Sequence, residues 1–313
     1  MIDRRLRVLQ AIARHGTVTA AAQVCRMTTA AASHQIQALA RELGVALLEP
    51  VGRGVRLTPA ARTLLAHGEI LLAQWEHARA DLATHRAGDV GGTLHFCGFA
   101  TAAAAVVPQA MALLRQEYPA LRLHLRESEP ARSFDLLVAD DTDIAVVVAT
   151  PNIPPVTDAA FDQHALYDEP LDLLVGPEHP LVGRDDVALS DLAADPWICS
   201  NPGRAYHQLV TLACTSAGFA PGIAHYADEW DTGAALVARG FGVALVPRLA
   251  ELPTRHDTRR IPISTPPVPI RRVIAAVRAG SENQPTIAAG LDALRQVTAA
   301  LSLTLDVPGQ PPL

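Results

Sequence analysis

Along the first sixty residues, apolar positions recur every three or four residues in three short runs, and a turn signal closes each run. Leu6, Leu9, Ile12 and Ala13 share one face of a helix predicted over 2–15, with Arg4, Arg5, Arg7 and Arg14 on the other. Arg4 and Arg5 read equally as phosphate contacts or as solvated surface arginines. Thr17 and Thr19 can cap a helix carrying Ala20, Ala21 and Val24, and Arg26-Met27-Thr28 makes a turn. A longer helix is predicted from about Thr29 to Leu43, with Ala32, Ile36, Leu39 and Leu43 inward. Its opposite face carries Ala30, His34, Gln37 and Arg41, with Ser33 at the margin and Thr29 at the exposed amino end. Small and hydrogen-bonding side chains there suit a helix laid in a DNA major groove. Gly44 ends that helix, and Gly52-Arg53-Gly54 between Val51 and Val55 predicts a tight turn that presents one arginine, as a wing does.

Thr58-Pro59 starts a further helix with proline at its first position, and no breaker follows until Gly88. At ~1.5 Å per residue this helix is about 40 Å long. Leu64, Gly68, Leu71, Trp75, Ala78 and Leu82 alternate four and three apart along it, the spacing of a coiled-coil seam. Two readings stay open, pairing with the same helix of a second chain or packing on its own domain. Gly88 to Gly92 reads as a hinge. Beyond it, a strand Leu94–Cys97, a helix from about Ala103 to Tyr118, the alternating 121–126, a helix Arg132–Val138 and the apolar run Ile144–Ala149 predict a β-α-β arrangement. A second α/β unit begins near Leu166, with strands Leu171–Val175, Trp197–Cys199, Ile223–Tyr226 and Val243–Val246 and helices Arg204–Ala217 and Thr232–Arg239. Ile270–Val277 and a helix Pro285–Leu301 then complete the first unit.

Charge adds a polarity to this plan. The net charge of −6 is unevenly spread. Residues 1–62 carry nine arginines against Asp3, Glu42 and Glu49, a balance of +6, while the other 251 residues carry 17 arginines against 29 acids, a balance of −12. The basic amino end suits a nucleic-acid partner. A length of 313 residues with 49% hydrophobic positions predicts two to three domains with sizeable cores. Met1 to Arg5 is not followed by an apolar run, and no stretch approaches the ~18 apolar residues of a membrane helix, so a cytoplasmic protein without a membrane partner is expected.

Catalytic and cofactor chemistry finds no foothold. Cys25, Cys97, Cys199 and Cys214 show no C-x-x-C spacing, and Asp141-x-Asp143 lacks a further ligand cluster, so it reads as a polar strand entry. Gly240-Phe241-Gly242 precedes a strand, whereas a dinucleotide fingerprint follows one. No serine elbow, paired-carboxylate arrangement or phosphate loop is present, so neither an enzyme nor a bound cofactor or metal is expected.

The chain resembles the LysR-type transcriptional regulators. The resemblance rests on Ala20-Ala21-Ala22, Thr28 to Ile36, Glu42-Leu43-Gly44-Val45 and Val55-Arg56-Leu57-Thr58-Pro59, in order and spacing. It continues through Asp143 to Val147, Leu173-Leu174-Val175 with His179-Pro180-Leu181, and Ala238 to Pro247. The departures are Thr29-Ala30 where Gln-Pro is common, His34 where a basic residue usually follows the serine, and Pro50 in place of an arginine before the wing.

The resemblance implies a winged helix-turn-helix DNA-binding domain over 1–58 and a linker or dimerisation helix over 59–88. A two-lobed α/β effector-binding domain of periplasmic-binding-protein type follows over 89–304. Its lobe I spans about 91–161 and 267–303, and its lobe II about 162–266. The implied partners are double-stranded DNA with an interrupted dyad operator, a small-molecule effector and the chain itself, as homodimer or homotetramer. Thr28, Thr29, Ala30, Ser33, His34, Gln37 and Arg53 would meet DNA, and Leu64, Leu71, Trp75 and Leu82 would form the dimer seam. Mapped from the family, the effector site falls on Phe99, Ala100, Thr101, Thr150, Ser200, Asn201, Arg204, Trp230 and Thr232. Thr101 and Ser200 at helix starts, with Arg204 as a bidentate clamp, point to a small carboxylate against Trp230. Helix caps, a surface arginine and lobe packing are the alternative roles of those residues. A second functional reading keeps the DNA module but senses redox state, since peroxide-sensing relatives use a cysteine pair in the second lobe, where Cys199 and Cys214 fall.

Overall fold

The structure is a computed structural model, and it describes residues 3–52, 54–85, 90–185 and 187–305. Three helices form the amino-terminal module: α1 (Arg5–His15), α2 (Val18–Val24) and α3 (Thr29–Leu43). Thr17 caps α2 by accepting a hydrogen bond from the Ala20 N–H at 3.2 Å, and Thr28 caps α3 through the Ala31 N–H at 3.1 Å. Leu9, Ile12, Ala21, Ala32, Ile36 and Leu39 close its core. The hairpin β1 (Leu48–Val51) and β2 (Gly54–Leu57) is held to α1, because the Val55 N–H donates to the Gly16 carbonyl at 2.8 Å. A Cβ at position 54 would stand 2.7 Å from that carbonyl oxygen, so this approach requires glycine.

Thr58 starts α4 (Pro59–Thr84), accepting from the Ala61 N–H at 3.0 Å while donating its hydroxyl to the Ala46 carbonyl at 2.7 Å. The effector domain follows as β3 (Gly92–Gly98), α5 (Ala100–Ala105), α6 (Val107–Glu117), β4 (Leu121–Glu127), α7 (Pro130–Val138), β5 (Ile144–Val148) and β6 (Phe161–Val175). It continues as β7 (Pro196–Cys199), α8 (Ala205–Ser216), β8 (Gly222–Tyr226), α9 (Trp230–Val237), β9 (Ala244–Pro247), β10 (Arg259–Ile261), β11 (Ile270–Arg278) and α10 (Pro285–Leu305). The main sheet runs β10-β6-β11-β5-β3-β4, with β9 also on β6, and β7 pairs with β8. All of β11 pairs antiparallel with residues 161–170 of β6, and residues 171–175 of β6 pair with β9 and β10, so β6 runs through both halves of the domain.

Three elements differ from the sequence expectation. The strand predicted from Leu171 begins ten residues earlier, at Phe161, because the polar residues of 161–170 pair with β11. The helix predicted over 103–118 is two helices, with Pro108 in the first turn of the second. The short β10 carries no alternation long enough to announce it.

The linker helix packs on its own domain along one face and leaves the other exposed. One face lies on its own chain: Gly68 meets Leu6, Ala80 is buried, and Gly280 (φ 79°) comes so close that a Cβ there would sit 2.5 Å from the Ala73 carbonyl oxygen. The other face leaves Ile70, Leu71, Trp75 and Leu82 exposed, at 59, 56, 40 and 65%. Leu64 of the predicted seam is half-buried against the amino-terminal core.

Candidate functional site

Two sites emerge, one on α3 and one between the halves of the effector domain. On α3, Thr29, Ala30, His34 and Gln37 are exposed on the face turned away from the core, with Ser33 half-exposed beside them. The Gln37 amide donates to Ser33 Oγ at 3.3 Å, and Arg41 Nε donates to the Gln37 carbonyl at 3.4 Å. The Thr28 hydroxyl serves as the cap of α3, so its first role is structural. Arg53, the predicted wing residue, lies outside the described residues. Arg56 on β2 pairs with Glu49 on β1 at 2.9 Å.

The basic amino end is less open than its count of arginines suggests. Arg7 lies 3.4 Å from Asp140, Arg14 lies 3.1 Å from Asp158, and Arg26 lies 2.6 Å from Asp141, all across the boundary with the effector domain. Arg26 and Asp140 both hold positive φ, 54° and 64°, on facing turns. At the centre, buried Glu76 of α4 lies 3.6 Å from Arg278 Nε, accepts from Arg79 at 3.2 Å and accepts from the Gln284 amide at 2.6 Å. Arg278 also donates to the Thr142 carbonyl at 2.6 Å and to Asp143 at 3.0 Å, and lies 3.2 Å from Asp140. Burial alone would push the Asp140 carboxyl up, but Arg278, Arg7 and Arg79 hold it below its ordinary value. Asp141 and Asp143 thus pair with two arginines, Arg26 and Arg278.

The effector-domain cleft is a cavity of about 100 Å³. Val148, Leu174, Ile198, Leu209, Leu245 and Val246 form its apolar wall. Aromatic rings come from Phe99, Tyr206 and Trp230, the last two meeting edge to face at 5.1 Å. Of the sequence-predicted residues, Phe99, Ala100, Thr101, Ser200, Arg204 and Trp230 line this cavity. Thr150 does not, and lies in a separate groove with Pro267 to Arg272 and residues of α8. Asn201 is turned outward, where its amide and backbone N–H donate to Asp228 at 2.9 and 3.0 Å. Those two bonds hold the Asp228 carboxyl below its usual range. Thr232 is exposed on α9 and does not line the cavity. Arg204, predicted as the clamp, stands at the mouth and is 39% exposed, lying 3.4 Å from Glu129 of lobe I and 3.4 Å from Asp228 of lobe II.

Sequence reasoning missed Arg271. It comes from β11, directly opposite Glu169 of β6, and both are buried, at 3 and 0% exposure. Arg271 Nε donates to Glu169 Oε2 at 2.8 Å, the Leu249 N–H donates to the other oxygen at 2.7 Å, and the Phe99 ring lies 4.8 Å from the guanidinium carbon. The available signal was a charged residue at an inward position next to the apolar run 273–277; its neighbour Arg272 turns outward to Asp168. Cys199 and Cys214 are both free and buried. Burial pushes their thiols up, to about 11 and about 12.

Comparison with known proteins matches both parts of the chain. Residues 4–62 match the model described as bacterial regulatory helix-turn-helix protein, lysR family, and residues 87–299 match the LysR substrate binding domain. The transcriptional dual regulator GltC of Bacillus subtilis is 29% identical over 283 residues, covering 88% of this chain and 90% of that protein. The DNA-binding transcriptional dual regulator OxyR of Escherichia coli is 28% identical over 252 residues, covering 80% and 81%. Among solved structures, full-length BenM superposes with a TM-score of 0.60 at 25% identity, covering 99% of this chain and 100% of that one. A Corynebacterium glutamicum OxyR C206 mutant gives 0.61 at 25%, covering 96% and 93%.

Proposed function

The chain belongs to the lysR family of bacterial regulatory helix-turn-helix proteins, and from that premise we propose which residues read DNA and what the cleft receives. It is a DNA-binding transcriptional regulator with an effector-binding domain, and not an enzyme. In our reading, Thr29, Ala30, Ser33, His34 and Gln37 face base edges and adjacent phosphates in the major groove, and Arg53 reaches the neighbouring backbone or minor groove. Leu71, Trp75 and Leu82 pair with their mates on a second chain, placing two such helices on two half-sites of an interrupted dyad. A small carboxylate binds in the cleft and shifts the pose of the DNA modules. No helix among the described residues is long and apolar enough to cross a membrane.

The observation that carries the effector reading is the cleft itself, a mostly apolar cavity whose few polar groups converge from both lobes. Redox sensing by Cys199 and Cys214 has less support. Attack on peroxide needs a thiolate, and burial holds both groups as thiols at neutral pH.

The test uses full-length protein, its selected operator and the fraction of a bacterial lysate below about 1 kDa. That fraction is expected to raise the melting temperature of the wild type and to alter its footprint. Gly233→Phe is expected to fold and to respond to neither, because Gly233 lines the cavity and a Cβ there meets nothing within 4 Å, which leaves space for a side chain that competes with a ligand; an unchanged far-UV spectrum checks the fold. Equal responses from both proteins would place effector binding elsewhere.

A further inference from the structure

Burying a guanidinium is tolerable only when its charge is compensated and its donors are used. Arg271 meets the first condition and only part of the second. Glu169 supplies the opposite charge, but among the described residues the hydrogen bond that Arg271 donates runs from Nε. Its Nη2 stands 2.7 Å from the same Glu169 oxygen, off the hydrogen-bond line, and is buried without a partner. A second buried group in the cavity wall shares this condition. Ser200 is 5% exposed, and its Oγ has no hydrogen-bond partner other than the weakly accepting thiol of its neighbour Cys199. It lies just before α8, whose first residues Ala205 and Tyr206 also line the cavity and whose cap, Arg204, makes no side-chain cap bond. Such spare donors are costly in an empty pocket and are satisfied by an anion.

The surroundings limit that anion's size and charge. A cavity of about 100 Å³ is smaller than the ~150 Å³ engineered cavity that holds benzene. Beyond the donors the wall is apolar except for the hydroxyls of Thr101 and Tyr206, the latter already donating to the Leu245 carbonyl, and the mouth carries Glu129, Asp228 and Glu229, three carboxylates against the single guanidinium of Arg204. A second negative charge on the ligand would meet no further cation inside, only apolar side chains, a neutral hydroxyl or those carboxylates.

Building on the effector reading above, we propose that the cleft selects a small monocarboxylate, its carboxylate seated on Arg271 and Ser200 and its short apolar body against the wall. Arg204 bridges the two lobes at the mouth through Glu129 and Asp228 and is not the clamp.

Titration calorimetry on the full-length protein tests this with butyrate and 3-methylbutanoate, with their primary amides, and with succinate and glutarate. The wild type is expected to bind the monocarboxylates, and to bind the amides and dicarboxylates at least about tenfold more weakly. Removing Arg271 alone would strand a buried carboxylate, so the diagnostic variant is Arg271→Gln with Glu169→Gln, which is neutral and keeps a donor and an acceptor in the pair. It is expected to lose the preference for carboxylate over amide, with Ser200→Ala weakening both monocarboxylates and Arg204→Gln remaining within about threefold of wild type. Retained preference in the neutral pair, or its loss in Arg204→Gln alone, overturns the assignment to Arg271. Absence of binding by any monocarboxylate overturns the ligand class, and a response of the same wild-type protein to the lysate fraction then shows that effector control itself still stands.

Discussion

Strand β11 carries a buried arginine near each end, and the two are kept in opposite ways. Arg278 is enclosed: Glu76, Asp140, Asp143 and the Thr142 carbonyl surround it, and three elements meet there. Arg271 has a single counter-charge and donors left over, facing a cavity. Each guanidinium keeps one nitrogen buried without a hydrogen bond, Nε of Arg278 and Nη2 of Arg271, so the difference lies in the counter-charges and in the space beside them. Several counter-charges make a joint, because every displacement breaks several charge-assisted contacts, whereas one counter-charge beside a cavity leaves room for a ligand to complete the group. The two faces of α4 repeat the contrast, with Glu76 and Ala80 enclosed and Leu71, Trp75 and Leu82 left open.

The open face of α4 gives the largest expected effect. Leu71→Asp with Trp75→Asp puts charge into the seam and is expected to yield a monomer by sedimentation. Affinity for a two-half-site operator should fall about a hundredfold or more, because linked contacts become single ones. An unchanged sedimentation coefficient would assign those side chains to solvent.

At the enclosed end of β11, Arg278→Met removes the counter-charge that Glu76, Asp140 and Asp143 share and is expected to lower unfolding stability by about 3–5 kcal/mol in urea titrations. At the open end, replacing the whole pair, Arg271→Met with Glu169→Leu, is expected to change stability between zero and a gain of about 1–4 kcal/mol, since charge and counter-charge leave together. A severe loss in that double variant would make Arg271 a joint as well, and the contrast would fail.

The smallest effect is pH-dependent. The carboxyl of Asp140 lies below its ordinary value near 3.8, so its contribution is full above that pH and is lost as pH falls through the lower folded value. Asp140→Asn is expected to be less stable than wild type at neutral pH, with the gap closing below about pH 3.8. A gap that stays constant down to pH 2 would remove Asp140 from the joint.

The amino-terminal module was legible in the sequence because its determinants are local. Thr17, Thr28 and Thr58 cap helices within three residues of themselves, and Ala32, Ile36 and Leu39 mark one face by spacing alone. The cleft was legible where a family pattern fixes a turn, as at Phe99 to Thr101 and Ser200. It was not legible where its chemistry comes from strand pairing: Arg271 and Glu169 are 102 residues apart, and only the register of β11 on β6 brings them together. The same holds for the arginines of α1, whose partners Asp140 and Asp158 come from the effector domain. A count of basic residues does not show which of them another domain has already paired.

In the proposed regulator, α3, presented twice by paired chains, reads DNA. Selection of duplexes from a random library by the full-length protein tests it most directly, with His34→Ala run in parallel. An enriched interrupted dyad is expected, and in the variant a preference relaxed by about 1–3 kcal/mol at one base pair of each half-site. Enrichment of no dyad, or of the same dyad with every base preference unchanged in His34→Ala, would contradict it.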